Sequence, residues 1–168
     1  MSKRRVAVMM GLAVGFAGGA ADADVAVPEA LSVPADMQLI LSTHAEGAQI
    51  YACDAAKSAW TLKGPDAVLF DEKGGPIGKH YAGPSWELGD GSLVVGEPVA
   101  KDAGPDSAAV PWLLLKIRSN SGKGLLAKAG MAQRIETKGG LAPKGECKAG
   151  EETRSAYSAT YRFFAVKS

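Results

Sequence analysis

From Met37 onward, apolar and polar positions alternate over short runs separated by turn residues. In "AQIYAC", Gln49, Tyr51 and Cys53 fall on one face, and Ala48, Ile50 and Ala52 on the other. "AWTLK" and "AVLFD" follow, separated by Gly64-Pro65; "IGKHYA", "SLVVGEPV" and "VPWLLLKIR" come later between Gly- and Pro-containing stretches. The period of two and the punctuation predict strands of about five residues. The clearest alternation is "RSAYSATYRFF", with Tyr157, Ala159, Tyr161 and Phe163 on one face and Ser158, Thr160 and Arg162 on the other. It reads as a longer strand with one buried side. "GLLAKAG", Gly124 to Gly130, is the only segment that suggests a helical turn. Connections too short for helical crossovers favour antiparallel pairing. The expected fold is all-β, an antiparallel β-sandwich or barrel of short strands with at most one short helix.

Residues His80 to Ser92, "HYAGPSWELGDGS", concentrate the polar chemistry. Asp90-Gly91 between two apolar runs predicts a two-residue type I′ hairpin, and Pro84, with no N–H for a ladder, interrupts a strand beside Gly83. Backbone geometry thus accounts for Gly83, Pro84, Asp90 and Gly91, but not for His80, Tyr81, Ser85, Trp86 and Glu87. Together with Asp90, those five are the ligand-binding candidates. A bend at Gly83-Pro84 would bring His80 and Trp86 together at a partly exposed cleft, with Glu87 or Asp90 within reach.

The amino-terminal residues set the context. Lys3, Arg4 and Arg5 precede an apolar run from Val6 to Ala17, and Ala21-Asp22-Ala23 fits a small-residue cleavage pattern. Residues 1–23 are therefore expected to be a secretory signal peptide, residues 24–36 an extended arm, and residues 37–168 a single β domain. The apolar run is too short to span a bilayer comfortably, and no later stretch predicts a membrane span. Cleavage would remove three of 19 basic and one of 18 acidic residues, leaving 16 against 17. Such a balance gives no reason to expect a nucleic-acid partner. Cys53 and Cys147 both lie in the exported part, and one disulfide between them is expected. Periplasm and extracellular medium both fit.

His80, Ser85 and Asp90 are the residue types of a hydrolase triad, but "GPSWE" lacks the closing glycine of a nucleophile elbow. A secreted hydrolase using His80 with Glu87 or Asp90 is one alternative. A metal-binding envelope protein is another, although His44 and His80 show no ligand spacing, and neither metal nor cofactor is expected. Trp60, Trp86 and Trp112, with Tyr51, Tyr81, Tyr157 and Tyr161, suggest instead a pocket for a small molecule or carbohydrate, with Trp112 and Tyr161 read as core. Oligomeric state has no signature here.

"GAQIYACDA", "WTLKGPDAVLFDEKGGPIGKHYAGPSWELGDGSLVVG", "VPWLLLKI", "AQRIETKGGLAP" and "YSATYRFF" together resemble domain-of-unknown-function family 3455, found in secreted proteins of bacteria and fungi. The resemblance spans roughly Met37 to Phe164. It implies an exported, mostly β single domain and carries no activity or catalytic residue. The reading that results is a non-catalytic small-molecule or carbohydrate binding or structural module.

Overall fold

The computed structural model describes residues 25–168, so the signal-peptide reading falls outside the described residues. Eight strands follow one another around a closed antiparallel barrel: β1 (Met37–Asp54), β2 (Ala59–Phe70), β3 (Pro76–Tyr81), β4 (Ser85–Leu88), β5 (Leu93–Asp102), β6 (Trp112–Ser121), β7 (Met131–Gly139) and β8 (Glu152–Val166). Each strand pairs with the next, and β1 closes the ring against β8. The antiparallel all-β expectation holds, and of its two forms the barrel is the one adopted.

β1, with 18 residues, and β2, with 12, are longer than the predicted five, and β8, read as a longer strand, has 15. "AWTLK" and "AVLFD" are one strand, because Gly64-Pro65 does not turn the chain. Instead Gly64 takes φ +146° opposite a register shift at Ile50/Tyr51. An irregularity of this kind bends a strand and lets proline sit where the ladder would otherwise need its N–H. β7 was not foreseen. Its Gln133 and Arg134 look like exposed positions, and the pattern then breaks at Glu136, whose φ is +51° beside a shift in the β7–β8 register.

Alternation does fix the inside of the barrel. Tyr157, Ala159, Tyr161 and Phe163 of β8 face inward, as predicted, and pack with Ala45, Leu69, Trp86 and Leu115 in the main core. Gly96 makes room there: a Cβ at this position would lie 2.9 Å from the Trp86 ring. A second cluster lies on the outer face of β6 and β7, where Trp112, Leu114 and Ile135 are covered by Leu31 with Val25, Val27 and Val33. The arm is therefore docked along the barrel, with a 3₁₀ turn at Glu29–Leu31 and a further turn at Ala35-Asp36 leading into β1. Gln133 Nε2 donates to the Leu31 carbonyl at 2.7 Å and pins it. The predicted helical turn is a second 3₁₀ turn, Leu125–Lys128.

The β4–β5 hairpin differs from the predicted two-residue turn. Gly91 N–H donates to Leu88 O at 3.1 Å and Leu88 N–H to Ser92 O at 2.9 Å. Gly91 has φ +86°, whereas Asp90 does not have positive φ. The loop is thus the three-residue type, a type I turn closed by a left-handed glycine. Asp90 keeps ordinary φ and uses its carboxylate instead, accepting from Leu125 N–H at 2.7 Å and from Ser92 N–H and Oγ–H at 2.9 and 2.6 Å. These bonds, led by the one from Leu125, hold its pKa below the usual carboxylate value and tie the hairpin to the 3₁₀ turn.

Cys53 and Cys147 form a disulfide with Cα atoms 5.7 Å apart, joining the end of β1 to the loop between β7 and β8. Intact mass after alkylation in non-reducing denaturant should show no free thiol. Replacing both cysteines with serine should lower stability by up to about 4 to 5 kcal/mol, the loop-closure value for a loop of roughly a hundred residues. Gly91→Val places a β-branched side chain at positive φ and should cost about 1 to 3 kcal/mol. An unchanged urea midpoint would contradict this hairpin geometry.

Candidate functional site

The β3–β4 hairpin reverses the chain through Ala82, Gly83 and Pro84, setting Tyr81 opposite Ser85 and His80 opposite Trp86. The expected bend is thus a complete turn, with a cis peptide at Gly83-Pro84. Cross-strand partners share a face, so both side chains point into the barrel. Their rings stack with centroids 4.6 Å apart and planes within 6°. Tyr161 meets both edge-on, at 4.8 Å from His80 and 5.2 Å from Trp86. The two side chains are themselves buried: His80 is 2% and Trp86 0% exposed. Closure of the barrel turns this face inward, which the sequence pattern of one hairpin does not reveal.

The hydrogen bonds of this cluster have a definite direction. His80 Nδ1 lies 2.8 Å from the Ser85 carbonyl, which can only accept, so Nδ1 carries the proton. Burial pushes the His80 pKa down to about 4; the bond to Ser85 opposes that shift and the Arg134 charge adds to it. The imidazole is therefore neutral at neutral pH, and its Nε2 accepts from Tyr161 Oη–H at 2.9 Å. Tyr161, having given its proton, accepts from Tyr157 Oη–H at 2.8 Å. Burial raises the pKa of both tyrosines, so they remain protonated. The chain runs Tyr157 to Tyr161 to His80 to Ser85.

This cluster forms part of the wall of a cavity of about 310 Å³ to which all eight strands contribute. Gln49 from β1, Arg134 from β7 and Leu115 from β6 line it beside His80, Trp86 and Tyr161. Leu62 to Pro65, the Gly83-Pro84 turn and Pro98 also contribute. Two buried donors have no hydrogen-bond partner, Gln49 Nε2 and Trp86 Nε1. Arg134 is held from one side, its Nε and Nη2 both donating to the Pro111 carbonyl at 3.1 and 2.8 Å.

The other candidates lie elsewhere. Tyr81 and Glu87 pair on the exposed side of the hairpin, Oη to Oε2 at 3.1 Å, on the opposite face from His80. The Ser85 hydroxyl donates to Ala82 O at 3.1 Å, and only the carbonyl of that residue meets the imidazole. Asp90 is engaged by Ser92 and Leu125. The structure therefore does not assemble the hydrolase constellation of His80 with Glu87 or Asp90. His44, the other histidine, is half exposed on the outside and meets Glu46 at 3.1 Å. Among the described residues no group of three His, Cys, Asp or Glu side chains is placed to hold a metal ion. One face of Trp86 is covered by His80, which leaves that face closed to a sugar ring; Trp112 sits beneath the arm. Gln49 and Arg134 escaped sequence reasoning. The one available signal was that Gln49 shares a strand face with Tyr51 and Cys53.

Compared with known proteins, the chain is matched over residues 34–165 by the model of a family described as Protein of unknown function (DUF3455). No curated protein and no solved structure matches it.

His80 makes stability depend on pH. Its folded pKa, about 4, lies below the ordinary 6.5, so between these values the unfolded chain binds a proton that the folded one refuses. Its contribution is complete above pH 6.5 and is lost as pH falls toward 4, by up to about 3 kcal/mol. Urea melts from pH 7.5 to 4 should show this loss in the parent and a flatter profile in His80→Gln. Parallel profiles would show that the folded imidazole titrates normally.

Proposed function

We propose, for a chain that belongs to the DUF3455 family, a non-catalytic binding role: an exported barrel that takes one small molecule into the cavity beside its aromatic core. The observation that carries this reading is the pair of buried, unpartnered donors, Gln49 Nε2 and Trp86 Nε1, both belonging to residues that line that cavity. An unmet buried donor costs about 1 to 3 kcal/mol, and folded proteins leave few of them. A bound molecule that draws these two side chains toward it would supply the missing acceptors. The cavity volume also suits a small ligand, at the lower end of the usual range for such sites.

Export is supported by the basic and apolar amino-terminal pattern and by the disulfide, which persists in oxidising compartments. No described helix is long and apolar enough to cross a membrane. A binding role fits the polar cluster as well. Its imidazole is saturated by Ser85 and Tyr161 and has neither a nucleophile nor a carboxylate beside it. Within this reading, His80 and Trp86 form the wall against which the ligand rests, and Ser85 fixes the orientation of His80.

Gln49→Leu separates a binding role from a purely structural one. Leucine preserves most of the volume and deletes the unmet donor, so the unliganded protein should be more stable by about 1 kcal/mol. Native mass spectrometry of parent protein purified from its source should show a small-molecule adduct that is lost on denaturation, and the variant should retain less of it. A bare parent mass together with a destabilised Gln49→Leu would overturn the proposal.

A further inference from the structure

The polarity of the cavity narrows the class of ligand, an inference that rests on the binding reading above. The hydroxyl protons of Tyr157 and Tyr161 are consumed inside the cluster, and both imidazole nitrogens are occupied. What is left unpartnered is the indole N–H of Trp86 and the amide nitrogen of Gln49. Charge points the same way. Arg134 and Lys63 contribute to the lining and no Asp or Glu does. Lys63 is neutralised by Glu152 at 2.6 Å, whereas among the described residues no carboxylate lies within salt-bridge distance of Arg134.

Arg134 is also preorganised. Two of its N–H groups are fixed on the Pro111 carbonyl, which holds the guanidinium in place without cancelling its charge. That charge is felt within the barrel: it adds to the burial that lowers the His80 pKa and opposes the burial that raises those of Tyr157 and Tyr161. A cationic planar fork in one lining with two neutral donors is complementary to a carboxylate, which accepts through both oxygens and carries no competing proton. The rest of the lining is largely apolar and includes Leu113, Leu115, Pro84 and Pro98. We infer that the cavity binds a small organic acid, its carboxylate directed to Arg134 and drawing Trp86 Nε1 and Gln49 Nε2 toward it, and its apolar body set against the leucine and proline wall.

Benzoate and hexanoate are suitable probes, with benzamide, hexanamide and inorganic phosphate as controls. Binding is read from the Trp86 indole N–H signal in ¹H–¹⁵N spectra of the full protein, which a new acceptor at Nε1 would move downfield. The acids should bind at least tenfold more tightly than their amides and more tightly than phosphate. Arg134→Gln should erase the preference for acid over amide, while Arg134→Lys should keep part of it. Melting curves establish that each variant is folded, and the acid-to-amide ratio of the parent decides the question should Arg134→Gln fail to fold. Equal binding of acids and amides would overturn the acid assignment while leaving the binding role intact. Phosphate binding as tightly as benzoate would overturn the role of the apolar body. Silence of the indole signal toward every probe would remove both the acid assignment and its support in Trp86, and the native adduct then tests the binding role separately.

Discussion

Closure of the sheet is the constraint on which everything else depends. Because β1 pairs with both β2 and β8, the barrel has no free edge, and each inward position must be filled within a fixed circumference. Eight strands enclose a space just wide enough for packed side chains or one small ligand. Here part of that space is filled: Tyr161 and Phe163 meet Trp86 edge-on and His80 stacks on the indole. Beside this plug lies the cavity. The same rings thus serve as core for one part of the barrel and as wall for the other, and any group on that wall is judged by two standards. It must pack, and its polar atoms must be satisfied.

The polar cluster meets both standards by running in one direction. Each donor has one acceptor, from Tyr157 to the Ser85 carbonyl. Since a carbonyl terminates the chain, the tautomer of His80 follows from geometry alone, and burial keeps the ring neutral. A histidine held in this way braces a core. In a hydrolase, by contrast, the imidazole would take a proton from a nucleophile with an orienting carboxylate behind it. Ser85, Glu87 and Asp90 lie close in sequence to His80, but strand alternation and the hairpin loop direct their side chains elsewhere. Proximity along the chain is thus a poor guide to convergence when the period is two.

This explains which features were legible beforehand. β8 could be read because from Tyr157 to Phe163 its inward positions are aromatic or alanine and its outward ones polar. The disulfide followed from two cysteines in a chain expected to be exported, and Asp90-Gly91 marked a hairpin even though its loop has three residues. The cavity could not be read, because it is built from exceptions to the pattern. Gln49, His80 and Arg134 are polar side chains on inward positions, and a periodicity argument assigns such residues to solvent. β7 was overlooked for the same reason, with a bulge at Glu136 removing what alternation remained. Gly64-Pro65 was misleading in the opposite sense: a turn signal absorbed within a long strand as an irregularity. Local chemistry identifies strands and turns, whereas the interior of a barrel is a property of all its strands at once.

The two sides of β6 show how far that collective property extends. Leu113 and Leu115 face the cavity, while Trp112 and Leu114 face outward. An outward tryptophan and leucine on a barrel wall would leave apolar surface in water, so the arm, through Leu31, Val25, Val27 and Val33, acts as an outer layer. Gln133 fastens that layer to β7 next to Arg134, and Pro111, which anchors the guanidinium, immediately precedes β6. The segment read from sequence as an extended arm therefore braces the outside of the wall whose inside positions the cavity's one unpaired charge. Its proline-containing, irregular sequence suits this task. Residues 25–36 need neither a ladder nor a periodic face, only apolar side chains spaced to cover Trp112, Leu114 and Ile135.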